Sequence, residues 1–415
     1  MLTNDSLIYF SLWKKKHKMM KKLVLISLLL LNTAMAQVKK GESVPDLNFK
    51  TLLNAPSKQV NLSALKGKVV IIEFWATWCG ACLNAMPHLN QLQKAYPKQV
   101  QVITVSSESE KRIATFIKSR PSVLWSAVDT AETVSKLFPH QLIPHSVVIS
   151  PEGKLIATTN PESITALVID SILKEKQVHL PEKTDLMYGS PEELMLTVFP
   201  LPKRIEPRFL MQKEIKGAPG FSTTYPLDSI FKGKRITAVN LGISDLYRLA
   251  YGSFGSKRVV DSTSATDKEN AYCVDLIVEK NDQLLPAFQQ ELLKRFDVKA
   301  KIVKQLKDVE VLKIIDPDKF KKIALNTNGK RSYFARHGEI DQQSITMADF
   351  ASYLESYGSR KHIVMDETNS SSKYDIKFSF QPENPSSLEK QLFDMGLILE
   401  KKQQLVDVLM IYHSK

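Results

Sequence analysis

The stretch Lys68 to Trp75, KVVIIEFW, is an almost unbroken run of β-branched and aromatic residues. A run without polar alternation reads as a strand buried on both faces. Covering both faces of a sheet requires flanking layers, which points to an α/β architecture. The residues that follow agree. Beyond ATWC a helical pattern begins, with Met86, Leu89, Leu92 and Tyr96 on one face. VQVITV, Val100 to Val105, is the next apolar run. Strand, helix, strand in this order predicts a βαβ unit with parallel pairing. A polar helix over 108–119, a short strand over 123–128 and a helix over 133–138 come next. The hairpin SVVISPEGKLIAT then turns at Pro151-Glu152-Gly153, and an amphipathic helix over 164–173 closes the unit.

Two of the chain's three cysteines, Cys79 and Cys82, fall where the buried strand gives way to the helix. Unpaired amides and the dipole at a helix N-terminus favour an anion. A thiolate at Cys79 is therefore stabilised, and cysteine pKa values in such positions fall from ~8.5 towards ~7 or below. Cys82, one turn further in, is expected to be the more buried of the two and to resolve a mixed disulfide. Two other readings stand beside this one. A zinc site needs more ligands than one CxxC provides, and there is no second CxxC or CxH pair. A structural disulfide across three residues closes too small a loop to add much stability.

Residues 40 to 175 resemble the TlpA/ResA branch of the thioredoxin superfamily, extracytoplasmic thiol-disulfide oxidoreductases. The resemblance is carried in order by GESVPDLNF, NLSALKGKVVIIEFWATWCGAC, the Met86-Pro87 pair and LIPHSVVISPEGKLI. It implies a thioredoxin-like fold, a central mixed sheet flanked by helices. It implies Cys79 as nucleophile, Cys82 as resolving thiol and a cis Ile143-Pro144 bond. Backbone groups beside that bond, together with Trp78, would receive a substrate strand. The redox-active disulfide Cys79–Cys82 would then be the only redox group, with no bound cofactor and no metal.

The family pattern is departed from at three places. Gly80-Ala81 separates the cysteines where proline is common at the second position. Ala85 replaces a frequent glutamate, and His145 replaces a frequent threonine after the cis proline. Gly80, Ala81 and His145 are thus candidates for tuning the redox couple, with a solvated histidine as the alternative for His145. Glu73 is a carboxyl inside an apolar strand, where an unpaired charge is expensive and the pKa rises. The resemblance implies that such an acid moves the proton of the resolving cysteine, here Cys82. The other reading is a partly exposed glutamate at a strand end. Pro87 reads as structural, bending the helix.

The first 36 residues read as a secretory signal. Lys14 to Lys22 are basic, Leu23 to Leu31 are a short apolar run and Ala34-Met35-Ala36 is a small-x-small cleavage site. Translation is expected to begin at Met19 or Met20. The alternative is an uncleaved membrane anchor. Either way the body of the protein is expected in the periplasm or another extracytoplasmic space, where disulfides persist. The formal charge is +13, but this segment holds six lysines against one aspartate. The remainder is mildly basic and has no aromatic-interleaved arginine patch, which argues against nucleic-acid binding.

A chain of 415 residues is expected to hold more than one core. The expected division is a signal at 1–36, a thioredoxin-like domain at 40–178, a proline-rich linker at 179–204 and an α+β domain at 205–415. The last contains a diverged duplication, with copies at about 235–315 and 344–413. Tyr251-Gly252-Ser253 answers Tyr357-Gly358-Ser359, Asp261 and Thr263 answer Asp366 and Thr368, and Tyr272 and Val274 answer Tyr374 and Ile376. Each copy reads helix, strand, strand, helix, strand, strand. Cys273 falls on a strand face where the second copy has Asp375, which argues against a thiol role. This half resembles a bacterial domain of unknown function described as soil-associated, and the resemblance supplies no activity.

The leading function is exchange, in the reducing direction, with disulfides of exported proteins. Electrons would come from a membrane thiol carrier. The other reading is an envelope binding or assembly scaffold, in which the C-terminal copies engage an unknown envelope partner.

Overall fold

The computed structural model describes residues 37–202, 204–226, 228–264, 270–336, 338–358 and 361–413. The expected signal segment lies outside the described residues. Among those residues no helix is long and apolar enough to cross a membrane.

Among the described residues three short strands come first: β1 (Asn48–Phe49), β2 (Leu52–Leu53) and β3 (Val60–Asn61). The buried run is β4 (Val69–Phe74), followed by α1 (Gly80–Ala95), β5 (Val100–Ser106), α2 (Glu110–Ser119) and β6 (Trp125–Val128). Then come α3 (Thr133–Leu137), the hairpin β7 (His145–Ile149) and β8 (Leu155–Thr159), and α4 (Ala166–Leu173). The six-stranded sheet runs β2-β6-β5-β4-β7-β8. β4 pairs parallel with β5 and antiparallel with β7, so the sheet is mixed as expected. Alternation along β4 divides the core. Val69 and Ile71 pack with Leu89 and Leu92 of α1 and Ile169 of α4. Val70, Ile72 and Phe74 pack on the other side with Val134 and Leu137 of α3.

The proline-punctuated connector is packed against both halves. Lys183 N–H donates to Thr158 O at 3.0 Å, and Leu186 N–H donates to Gly217 O at 2.9 Å. Gly217 has φ +77°, and a Cβ there would meet Thr184 O at 2.4 Å, so glycine permits this approach. Within the connector α5 (Pro191–Val198) lays Leu194 and Met195 against Cys273.

The C-terminal domain begins with β9 (Arg208–Lys213) and β10 (Phe221–Thr223). Its first copy is β11 (Arg235–Gly242), α6 (Ile243–Ala250), β12 (Val259–Asp261), β13 (Ala271–Ile277), α7 (Leu284–Arg295) and β14 (Val298–Ile314). After α8 (Pro317–Phe320) and β15 (Ser332–Arg336) the second copy repeats the order. It runs β16 (Glu339–Ile345), α9 (Met347–Tyr357), β17 (Ile363–Asp366), β18 (Tyr374–Ser379), α10 (Pro385–Asp394) and β19 (Leu397–His413).

Each copy is therefore strand, helix, strand, strand, helix, strand, which corrects the order read from the sequence. The two runs read as separate final strands are one 17-residue strand in each copy. Neither VKAKIVKQLKDVEVLKI nor its counterpart contains a glycine or proline to interrupt pairing.

β14 and β19 pair antiparallel along their whole lengths, from Val298 opposite His413 to Ile314 opposite Leu397. β12 of the first copy adds to β19, and β17 of the second adds to β14. Leu409 and Ile411 of the second copy thereby complete the first copy's core, and Leu312 of the first enters the second's. The copies are interlocked and neither has a complete core of its own. Both carry a bulge at one position. Asn240 and Ser344 have φ +48° and +58°, and the pairing register shifts there. Asn240 N–H donates to Cys273 Sγ at 3.4 Å, as Ser344 N–H donates to Asp375 Oδ1 at 3.0 Å. Asp261 and Asp366 each accept from the backbone and hydroxyl of the threonine two residues on, which makes these pairs strand-end turns.

Candidate functional site

Between the end of β4 and the start of α1 the chain is WATWC, Trp75 to Cys79. Cys79 is the N-cap of α1 in extended conformation, φ −83° and ψ 99°. Its sulfur accepts from Cys82 N–H at 3.1 Å. The first turn of a 16-residue helix thus aims an amide at the position where a Cys79 thiolate would carry charge. Cys79 and Cys82 are joined in a disulfide with an S–S distance of 2.05 Å. Cys79 is 7% exposed and Cys82 1%, the order expected for attacking and resolving sulfurs. Gly80 and Ala81 are exposed on the first turn, and the space beside Gly80 is open. Trp78 is 44% exposed.

The peptide bond between Ile143 and Pro144 is cis. Ile143 O lies 3.7 Å from Cys79 Sγ, so the loop before β7 borders the disulfide. Ile143 also packs with Trp75, Cys79 and Cys82 in one apolar cluster that includes Ile113 and Phe116 of α2.

Glu73 is the fifth of the six residues of β4 and is 1% exposed. It is not at a frayed strand end. By alternation it shares the α1 face with Val69 and Ile71. Its Oε2 accepts a short hydrogen bond from the Ser146 hydroxyl, and its Oε1 has no partner. Burial pushes this carboxyl up to about 8, with the Ser146 bond opposing. A carboxyl of that pKa gives and takes a proton near neutrality.

His145 is buried rather than solvated. Its ring stacks on His140 with centroids 4.8 Å apart, and Phe74 lies 5.9 Å away. Those neighbours place it on the sheet face opposite Glu73. Burial, with His140 and Lys183 nearby, pushes His145 down to about 3, so the ring is neutral at physiological pH.

Sequence reading missed two residues at this loop. Lys183 Nζ donates to Leu142 O at 2.8 Å and to Asp185 Oδ1 at 2.6 Å, and lies 3.4 Å from His145 Nδ1. Asp185 Oδ2 accepts from the backbone N–H groups of Gln141 and Leu142 at 2.8 and 2.7 Å. Burial would raise the Asp185 carboxyl, but its bonds to Lys183, Leu142 and Gln141 win and hold it below the usual range. The connector therefore straps down the loop that carries the cis proline. Lys-x-Asp in a segment without periodicity offers no signal of such a contact.

A cleft of about 590 Å³ opens beside Trp78 and Ile143. One side is the thioredoxin-like domain and the other is the second C-terminal copy. Among the described residues no group of three or more His, Cys, Asp or Glu side chains could hold a metal ion.

Residues 39–174 match the family model described as Redoxin, and residues 275–414 match one described as a protein of unknown function, DUF3738. The thioredoxin-like protein YneN of Bacillus subtilis is 37% identical over 83 residues, 19% of this chain and 47% of that protein. The thiol-disulfide oxidoreductase ResA of the same organism is 29% identical over 135 residues, 32% of this chain and 74% of its own. The chain thus spans about half of one relative and three quarters of the other. A Chlorobium tepidum structure described as a thiol:disulfide interchange protein DsbE is 28% identical. The match covers 30% of this chain and 86% of that one, with a TM-score of 0.28.

Proposed function

From a chain whose residues 39–174 are a Redoxin domain of thioredoxin fold, we propose that the protein is an extracytoplasmic thiol-disulfide oxidoreductase working as a reductase. The observation that carries this reading is the Cys79–Cys82 pair at the α1 N-terminus, with Ile143 O 3.7 Å from Cys79 Sγ. In the reduced protein the Cys79 thiolate attacks one sulfur of a substrate disulfide. A mixed disulfide forms and the other substrate sulfur leaves as a thiolate. Glu73 takes the proton of Cys82. The Cys82 thiolate then attacks Cys79 Sγ, releasing the second substrate sulfur and closing the Cys79–Cys82 bond. Two electrons pass to the substrate.

Trp78, Ile143 and Pro144 form the surface on which the substrate strand lies. Gly80 and Ala81 leave the first helical turn uncrowded, and His145 stays neutral beside Lys183 in the loop behind Ile143. No bound cofactor enters the cycle. Disulfides of exported proteins are the substrates, and a membrane thiol carrier re-reduces the pair. The test is turnover of a protein disulfide with dithiothreitol as electron source, together with the reduction potential of Cys79/Cys82. A reductase requires a potential near or below that of thioredoxin, about −270 mV. A value near −120 mV, that of a strong oxidant, would reverse the proposed direction.

A further inference from the structure

The second C-terminal copy is tied to the redox site by a chain of charged hydrogen bonds. Thr77, two residues before Cys79, donates its N–H and hydroxyl to the two carboxylate oxygens of Glu108, at 2.6 and 2.8 Å. Arg112 of α2 donates from Nε to the Thr77 hydroxyl at 2.9 Å. Its outer nitrogens reach across the domain boundary. Nη1 and Nη2 donate to the two oxygens of Glu383 at 2.7 and 2.8 Å, and Nη1 also donates to Gln381 Oε1 at 2.8 Å. A two-pronged arginine–carboxylate pair fixes orientation as well as distance. The Glu383 side chain is 4% exposed and that of Arg112 18%, so water screens the pair little.

The tie sets where the wall of the cleft stands. Trp78 and Ile143, which flank Cys79, form part of one side. Glu339, Phe380 and Gln381 of the second copy form part of the other. A folded partner docks through a patch of roughly 800 Å² on each side. A wall across the cleft from Trp78 narrows the surface around Cys79 that such a partner could use. The cleft's 590 Å³ instead matches the size of pockets that enclose small ligands or short segments.

Resting on the reading of Cys79 and Cys82 as an exchange pair, we propose that the second C-terminal copy is a selectivity wall. It admits disulfides carried on extended polypeptide segments and excludes those on the surface of folded proteins. Glu383 and Arg112 are its positioning residues.

The test compares kcat/KM of the full chain on a short cyclic disulfide peptide and on a folded protein with one surface disulfide. The wild type should favour the peptide by about tenfold or more, and Glu383→Ala and Arg112→Ala should each bring the ratio to within about threefold. Glu383→Gln, which keeps the hydrogen-bonding shape and loses the charge, should fall between. It is the variant to rely on if alanine prevents folding, as judged by circular dichroism. Equal wild-type rates on both substrates, or a ratio unmoved in the folded variants, would overturn the wall and leave the exchange reading intact. No turnover of even the small peptide would instead defeat the exchange reading.

Discussion

Two carboxyl groups, one in each domain, lie within a strand and are almost wholly buried: Glu73 in β4 and Asp275 in β13. Asp275 is surrounded by donors. Arg235 Nε reaches it at 2.7 Å, the Thr237 hydroxyl at 2.7 Å, and Arg208 from Nε at 2.9 Å and Nη2 at 2.6 Å. Glu73 has one hydroxyl, and its second oxygen has no partner. A buried carboxylate is stable only when paired; an unpaired one keeps its proton. The first arrangement holds a domain together. The second leaves a proton to be moved, beneath the helix that carries Cys82.

The largest effect should come from the sulfur itself. Cys79→Ser should lower turnover by at least about 1000-fold, since no other group replaces the nucleophile. Protein-disulfide reduction with dithiothreitol measures it. Next is the paired acid. Asp275→Ala strands Arg235 in the core and should cost about 3–5 kcal/mol in urea unfolding. The fraction that stays folded should still reduce a small disulfide. If Asp275→Ala left stability unchanged, the contrast between the two acids would fail.

The unpaired acid should behave in the opposite way. Glu73→Gln should slow exchange by about 100-fold near neutral pH, as for loss of a general acid-base group. It should not destabilise the protein at high pH. The sign follows from linkage: the folded Glu73 holds its proton up to about 8, against about 4.5 for an ordinary glutamic acid. Its contribution is fully present below 4.5 and is lost as pH rises through 8. Relative to Glu73→Gln, the wild type should therefore lose stability between pH 5 and 9. Rates that match wild type throughout pH 6 to 9 would remove Glu73 from the proton path.

The smallest effect belongs to Cys273. It is buried under Leu194 and Met195, and burial pushes its thiol up, away from reactivity. Cys273→Ser should leave exchange rates within about twofold, a surface-like tolerance for a position outside the reacting set. A larger loss would point to a thiol relay between the domains.

Much of the redox site could be read directly because it is nearly continuous in sequence. Strand, CxxC and helix occupy Val69 to Ala95, and helix position alone predicts which of the two sulfurs is the more buried. The duplication was legible because matched residues keep their spacing. What did not show was everything that joins distant segments. Arg112 meets Glu383 across 271 positions, and Lys183 and Asp185 look like ordinary charges in a connector. The crossing of β14 and β19 was hidden for a related reason. Periodicity marks a strand but does not name its partner, and here each copy's last strand pairs with the other's.

Trapping tests the central claim, that Cys79 attacks and Cys82 resolves, most directly. Cys82→Ser and Cys79→Ser proteins are each mixed in reduced form with a disulfide-bonded polypeptide, and the products are resolved on a non-reducing gel with mass spectrometry of the linked peptides. Cys82→Ser should hold a covalent complex joined through Cys79 that dithiothreitol releases, because the only nearby resolving sulfur is gone. Cys79→Ser should hold none. Accumulation of the complex through Cys82 in Cys79→Ser, with none in Cys82→Ser, would reverse the roles and contradict the account of the helix terminus.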